Sequence, residues 1–333
     1  MIKVSFSVPT LNAASMLPRF LGSIRSQLYP QELVEIVVAD GGSTDDTLRI
    51  AADYGAVVAH NPLKLPGPGG AVGYHEATGE VVFFGAADNV LCHRDWLRYM
   101  VKPFEDDPTI LVVFTKTAPA PDSNAFDNYF NQLHTDPLSW FIYEKTAHPD
   151  GYGRMYKTLR HTDDYVVYDF RPETHPIIGL AQGCGLRRSF KIKPENENDD
   201  ILQIIQVLQE GGRLAYVRKA GIYHYSLQGF GHFLRKFRWK IRNSLAVKYE
   251  GMGLVAREPY LSPSRKLRKY LFLPYSLSMV LPIVDSLRMV VAERDRCMLW
   301  HAPACFALAV EILIEYARYK LARETTIGDY GNA

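Results

Sequence analysis

The chain has 333 residues, 47% of them hydrophobic and 22% charged, which argues against wholesale disorder and leaves room for one large domain or two ordinary ones. A net charge of +2 gives no sign of a general nucleic-acid binder. The four cysteines, Cys92, Cys184, Cys297 and Cys305, lie far apart with no C-x-x-C, which argues against a zinc ribbon or a secreted disulfide framework and predicts a reducing compartment.

Met1 leads straight into an apolar run with no basic segment before it, so no signal peptide is expected. Val4–Pro9 reads as the first strand. Leu17, Phe20, Leu21, Ile24 and Leu28 recur at helical spacing. Val34–Val38 is β-branched and runs into the turn Ala39-Asp40-Gly41-Gly42. Asp46–Tyr54 is a helix, Val57–His60 a strand, and Ala71–Ala77 a short helix closed by Gly79. Glu80–Phe84, Trp96–Phe104 and Ile110–Thr115 continue the series as strand, helix and strand. The Gly-rich run Leu65–Gly70 between them reads as a surface loop.

Such alternation with short connections predicts an α/β fold of Rossmann type, a mostly parallel sheet with helices on both faces. Ligands bind beyond the carboxyl ends of such strands. The polar residues there are Thr10, Asn12, Asp40, Ser43, Asp45, Asp88 and Asn89. No G-x-G-x-x-G follows the first strand and no G-x-x-x-x-G-K-[ST] occurs, so dinucleotide and Walker-type sites lose their main support. Single carboxylates at strand ends instead suit hydrogen bonds to a base or sugar and coordination of a hard divalent cation.

Several segments resemble the inverting GT-A glycosyltransferases of family 2. They are Val8–Asn12 (VPTLN), Val37–Thr47 (VVADGGSTDDT), Phe83–Leu97 (FFGAADNVLCHRDWL), Gly183–Gly185 (GCG), Glu197–Asp200 (ENDD), Gly211–Val217 (GGRLAYV) and Tyr223–Tyr225 (YHY). The resemblance covers roughly residues 1–225 and implies a GT-A nucleotide-sugar-binding domain over residues 1–230. It implies that Pro9, Thr10 and Asn12 line the nucleotide and that Asp40 takes a base edge. Gly70 stands in that nucleotide-binding group where the family often has an arginine. Asp88 would hold a divalent metal, Mg or Mn, on the donor diphosphate, with His224 near the metal or diphosphate. The family's first D-x-D carboxylate falls on Ala86, leaving Asp88 with Asn89 beside it. Asp200 would be the general base, and Gly183, Cys184 and Asp199 would lie on the acceptor side. Asp45 and Asp46 read as helix caps, as does one of Asp199 and Asp200. The implied donor is a nucleoside-diphosphate sugar and the implied reaction a single inverting displacement. A non-catalytic nucleotide-sugar-binding scaffold is the competing reading, suggested by Ala86.

Ala118–Ile178 is rich in aromatics, among them Tyr129, Trp140, Tyr152 and Tyr168. It is read as acceptor-side, with core packing as the role of most of the rings.

Residues 231–333 read as a separate helical, membrane-associating extension. Arg235–Lys269 holds eleven basic and two acidic residues, a net +9 against +2 for the whole chain. Two apolar stretches follow, Tyr270–Val284 and Cys297–Val310, both short of the roughly 20 residues a spanning helix needs. The combination predicts a peripheral or monotopic anchor on an anionic membrane surface at the cytoplasmic face, with a polyprenyl-linked phosphate or glycan as acceptor. A helical hairpin packed on the protein's own core, with a non-lipid acceptor, is the alternative.

Overall fold

The structure, a computed structural model, describes residues 1–246 and 253–322. Lys248 and Glu250 of the basic segment lie outside the described residues. In chain order the first elements are β1 (Val4–Thr10), α1 (Leu17–Arg25), β2 (Val34–Asp40), α2 (Thr47–Asp53), β3 (Val57–His60), α3 (Pro66–Glu76) and β4 (Val81–Gly85). Next come β5 (Asn89–Leu91), α4 (Trp96–Asp106), β6 (Ile110–Phe114), β7 (Thr117–Ala118), α5 (Ala125–Leu133) and α6 (Pro137–Ile142). They are followed by β8 (Thr158–His161), β9 (Val166–Tyr168), β10 (Gln182–Arg187), α7 (Asp200–Gln209), β11 (Arg213–Tyr216) and β12 (Ile222–His224). The helices α8 (Phe230–Ala246), α9 (Gly253–Arg257), α10 (Pro263–Leu277), α11 (Val280–Glu293) and α12 (His301–Ala322) close the series.

These elements form two compact units. One comprises Met1–Ala118 with Pro149–His224, the other Pro119–His148 with Tyr225–Ala333. The helical unit thus recruits residues 119–148 from the middle of the chain rather than beginning at residue 231.

The first unit is built on a nine-stranded sheet of order β3-β2-β1-β4-β10-β6-β11-β9-β8. Only β10 and β9 run against the other strands, so the sheet is mostly parallel. Successive side chains of a strand point to opposite faces. Val81 and Phe83 of β4 therefore join α1, α2 and α4 on one face through Leu21, Ala51 and Trp96. Val82 and Phe84 join α3 and α7 on the other through Tyr74 and Ile204. Most of the aromatics of Tyr152–Phe170 serve this second core. A three-stranded sheet, β5-β12-β7, completes the unit.

Helix α3 corrects the reading of Leu65–Gly70 as a loop. Pro66 starts the helix with its φ pre-set and no N–H to leave unsatisfied. The glycines let the helix backbone press on β1: a Cβ at Gly69 would stand 2.7 Å from Asn61 Nδ2 and Pro9 Cβ, and one at Gly73 would overlap Ser7 Oγ. Tertiary contact thus outweighs the weak helix propensity of four glycines.

The second unit is helical. Buried aromatics knit it together: Phe126 packs edge-on to Trp300, Trp140 to His301, and Phe141 stacks on Tyr275. The basic segment is largely committed inside this unit. Arg238 pairs with Glu311 (2.5 Å), Arg242 with Glu315 (2.6 Å) and Lys269 with Glu258 (2.8 Å). Arg265 is buried with its guanidinium 4.7 Å from the Tyr143 ring centroid. The +9 count therefore overstates the charge available to a membrane.

Two apolar stretches also differ from expectation. Tyr270–Val284 is broken at Met279, whose φ is +58°, and α10 and α11 meet at 94°. Cys297–Val310 continues through Glu311 and Glu315, because the arginines of α8 neutralise both carboxylates. With its preceding turn, α12 spans Arg296–Leu321, 26 residues, long and apolar enough to cross a bilayer by length and composition, with half its apolar window buried in protein.

Candidate active site

The parallel register brings Thr10 opposite Asp40, and Asp40 opposite His60, at one edge of the sheet. The loops after β1 and β2 are stitched across that edge. Asn12 N–H donates to Ser43 Oγ (2.9 Å), Thr44 N–H to Asn12 Oδ1 (2.8 Å), Ala13 N–H to Thr47 Oγ1 (2.8 Å) and Ala14 N–H to Asp45 Oδ2 (3.1 Å). Asp45 also accepts from Thr47 at the start of α2, and Asp46 pairs with Arg49 on the surface.

Asp40 is the hub of this loop. Its Oδ1 accepts from Thr10 Oγ1 (3.0 Å) and Ser43 Oγ (2.5 Å), and its Oδ2 from the N–H groups of Gly42 and Ser43 (both 2.8 Å). Burial raises the pKa of this carboxyl, but the Ser43, Gly42 and Thr10 donors outweigh it and hold the group below the usual carboxylate range. A carboxylate offers about four acceptor positions, and here all are taken. A base N–H reaches Asp40 only by displacing a donor, such as the rotatable Ser43 hydroxyl. The expected base contact is thus not preformed, and the side chain closes the loop instead.

A depressed folded-state pKa means that this contribution is fully present above the unfolded value and is lost as pH falls through the folded one. Asp40→Asn should destabilise the protein by about 2 kcal/mol at neutral pH, since charge-assisted bonds become neutral ones. The difference from wild type should shrink in acid melts. An unchanged melting temperature at pH 7 would remove Asp40 from this role.

Antiparallel pairing of β5 with β12 sets Asn89 opposite His224, placing Asp88 Oδ1 3.5 Å from His224 Nε2. Asn89 itself is buried and donates to the Ala181 carbonyl (3.1 Å), which ties this pair to the loop before β10. On that loop, a Cβ at Gly179 would overlap an Asp200 carboxylate oxygen, so Asp200 lies directly against it.

The structure divides the acidic pair. Asp199 is buried and caps α7, its Oδ1 accepting from the N–H groups of Ile201 and Leu202 (both 3.0 Å). Asp200 is the first helical residue, half-buried, where the helix dipole favours negative charge.

Three residues expected at the ligand are engaged within the protein. Asp199 is committed to its cap. Cys184 is fully buried, its thiol donating to the Gly179 carbonyl (3.3 Å) and pushed well above its ordinary pKa, by burial first and then by the Asp200 charge. Gly70 lies inside α3, its carbonyl accepting from Ser7 Oγ (2.9 Å) and its Cα facing Phe84. Gly183 is buried with φ +75° at a register shift in β10, and so shapes the loop while Ala181 and Gln182 form its surface.

The sequence reading missed Asn61 and Lys64. Asn61, after β3, is buried, donates its N–H to the Asp40 carbonyl (2.8 Å) and bonds the Leu65 carbonyl through Nδ2 (3.1 Å). Lys64 is an exposed cation with φ +56°, and its Cα would stand 3.2 Å from a Cβ on Gly41. The strand-end rule, applied to β3 as it was to β1 and β2, finds both. Helix α3 touches the segment before α7 at both ends: a Cβ at Gly67 would lie 2.5 Å from the Asn198 carbonyl oxygen, and His75 Nε2 is 2.7 Å from Glu197 Oε1.

Among the described residues no three His, Cys, Asp or Glu side chains are grouped to hold a metal ion. Asp88 and His224 make a two-ligand set of one oxygen and one nitrogen, and Ala86 supplies nothing. Such a set fits a divalent ion that takes its other ligands from a diphosphate and water.

The mostly parallel sheet with helices on both faces and clasped strand-end loops is a fold of GT-A type. The chain belongs to glycosyl transferase family 2, whose model matches residues 5–172. It is 31% identical over 228 residues to an O-antigen chain rhamnosyltransferase of Salmonella typhimurium, covering 67% of this chain and 66% of that protein. It is 34% identical over 102 residues to a poly(ribitol-phosphate) beta-N-acetylglucosaminyltransferase of Staphylococcus aureus, covering 27% of this chain and 17% of that protein. The chain therefore spans just under two thirds of the first of these relatives and about a sixth of the second. A mannosyltransferase from Pyrobaculum calidifontis, solved with GDP-Man and Mn2+, superposes with a TM-score of 0.53 over 97% of this chain and 88% of that one. At 15% identity that likeness concerns the fold alone.

Proposed function

We propose that the protein transfers a sugar from a nucleoside-diphosphate sugar to an acceptor hydroxyl by one inverting displacement, with Asp200 as general base. The observation that carries this reading is the division of the acidic pair, which commits Asp199 to the cap and puts Asp200 against the loop that Asn89 ties to Asp88 and His224. The acceptor oxygen attacks the anomeric carbon while its proton passes to the Asp200 carboxylate. The anomeric C–O bond breaks, and its electron pair leaves on the diphosphate. Asp88 and His224 would hold a divalent ion there, which when bound supplies positive charge to the leaving group. Lys64 offers a second cation at the nucleotide end.

The acceptor belongs, in this reading, to the polyprenyl-linked class, met at the cytoplasmic face of a membrane. The O-antigen and poly(ribitol-phosphate) relatives and the apolar helices of the second unit support it.

Asp88→Ala should weaken Mn2+-dependent binding of UDP or GDP roughly tenfold, because one anionic ligand of a two-residue set is lost. Equal binding in chelator and in Mn2+ for the wild type would end the metal role. A non-catalytic nucleotide-sugar binder is the second reading, favoured by the missing carboxylate at Ala86. Nucleotide release from a panel of UDP- and GDP-sugars separates the two, since a binder releases none above the uncatalysed rate.

A further inference from the structure

We infer that α11, with the adjoining apolar ends of α10 and α12, is seated in the acyl region of an anionic membrane leaflet without crossing it. The membrane association in the preceding reading thereby gains a specific surface, and the inference rests on that part of it.

Helix α11 is inside-out. Its buried residues are Pro282, Asp285 and Ser286, two of the three polar. Asp285 is bonded by Lys145 and by Tyr275 OH (2.8 Å), and Ser286 Oγ accepts from Ala302 N–H (3.1 Å). The outward side carries Val280, Leu281, Ile283, Val284, Leu287 and Val291, with exposures from 37% to 78%. A helix on a water-facing surface shows the opposite pattern, apolar in and polar out. The second unit repeats the inversion on α12, where Glu311 and Glu315 point inward to arginines while Leu313, Ile314 and Leu321 face out. Large apolar side chains exposed one by one are ordinary, but a contiguous apolar face of this extent marks an interaction surface.

Length and charge select the occupant. At 14 residues α11 is about 21 Å long, short of a hydrocarbon core of roughly 30 Å, and α10 meets it at a 94° bend rather than continuing its axis. An anionic leaflet matches both the apolar face and the cations that edge it. Arg288 is 76% exposed beside the apolar residues, though one guanidinium nitrogen lies 3.7 Å from Asp285, and Arg294 and Arg296 follow the helix end, against Glu293 as the one exposed acid of that stretch. Long basic side chains at the rim of an apolar helix reach the headgroup level, where anionic lipid attracts them.

The test is flotation of the full chain with phosphatidylcholine–phosphatidylglycerol vesicles, for the wild type and for the triple variant Leu281→Glu, Leu287→Glu, Val291→Glu. All three sites are solvent-facing, so an unchanged circular-dichroism melt verifies folding. Wild type should float, and part of it should stay bound at about 0.5 M salt, where surface charge is screened. The variant should lose bound fraction roughly tenfold or more, as three apolar anchors become charged. Equal flotation of the two proteins overturns the seat on α11, as does wild type remaining at the bottom. So does a variant that sediments at half the wild-type mass with unchanged flotation, because the face would then join two copies. Nucleotide release in lipid-free buffer is scored in parallel. Failed flotation with intact turnover rejects the membrane seat and leaves sugar transfer standing.

Discussion

Asp200→Asn should lower kcat for a hydroxyl acceptor by about 10²–10⁴, some 3–5 kcal/mol of transition-state stabilisation, with donor binding unchanged. The amide keeps the size of the side chain and its place in the first turn of α7 but cannot take a proton. Donor affinity should be spared because Asp40, Asn12 and Ser43 clasp the loops after β1 and β2, which Asp200 does not join. Asp199→Ala should show the converse, a stability loss of about 1 kcal/mol from the missing cap. The comparison needs kcat and donor KM for both variants beside thermal melts. A fall of less than about threefold for Asp200→Asn on a hydroxyl acceptor would take Asp200 out of the base role. The same variant reports on the acceptor. A lipid monophosphate oxygen is already ionised and gives up no proton, so on that substrate the loss should be slight.

Arg238→Ala should destabilise the helical unit by about 2–3 kcal/mol, near the lower end for removing one partner of a buried pair. Its Nε and Nη2 both engage Glu311, whose side chain is only 10% exposed, while Arg238 itself is 38% exposed, which moderates the effect. Glu311 would be left as a buried carboxylate without its guanidinium partner. Arg238→Met with Glu311→Leu should recover most of the loss, because neither charge then remains to be solvated. If the single variant melts with the wild type, the pair contributes nothing to the helical unit.

Much of the first unit could be read from residue order. Val34–Val38 and Glu80–Phe84 are apolar runs of strand length, and each settles within two residues of its expected bounds. Leu17, Phe20, Leu21 and Ile24 announced the buried stripe of α1. The placement of the candidate residues was legible at strand ends, where Thr10 meets Asp40 and Asp88 lies beside His224. It failed where a residue's role depends on what lies across the fold. Gly69 and Gly73 look like loop glycines until β1 is placed under them. Cys184 between two glycines was expected on the acceptor side, yet the sheet buries it completely. Glu311 and Glu315 looked like charges that end an apolar stretch, because the arginines that neutralise them lie 73 residues earlier. The net charge of Arg235–Lys269 was counted correctly and still misjudged, since a count cannot show which cations are already paired.

The divided origin of the helical unit has a consequence for how the chain is made. Helices α5 and α6 leave the ribosome well before the rest of their unit, which begins at Tyr225. At roughly 5–20 residues per second the intervening 76 or so residues take about 4–15 s to synthesise. During that interval Phe126, Tyr129, Trp140 and Phe141 have no Trp300, His301 or Tyr275 to pack against. The nascent chain therefore carries an uncovered aromatic surface in its middle while the second half of the sheet is still being completed. A product ended near residue 230 would keep that surface permanently, and its natural fate is capture by a chaperone or aggregation. Dissecting this protein by truncation would thus report on unfinished folding, whereas point changes on the finished chain report on chemistry.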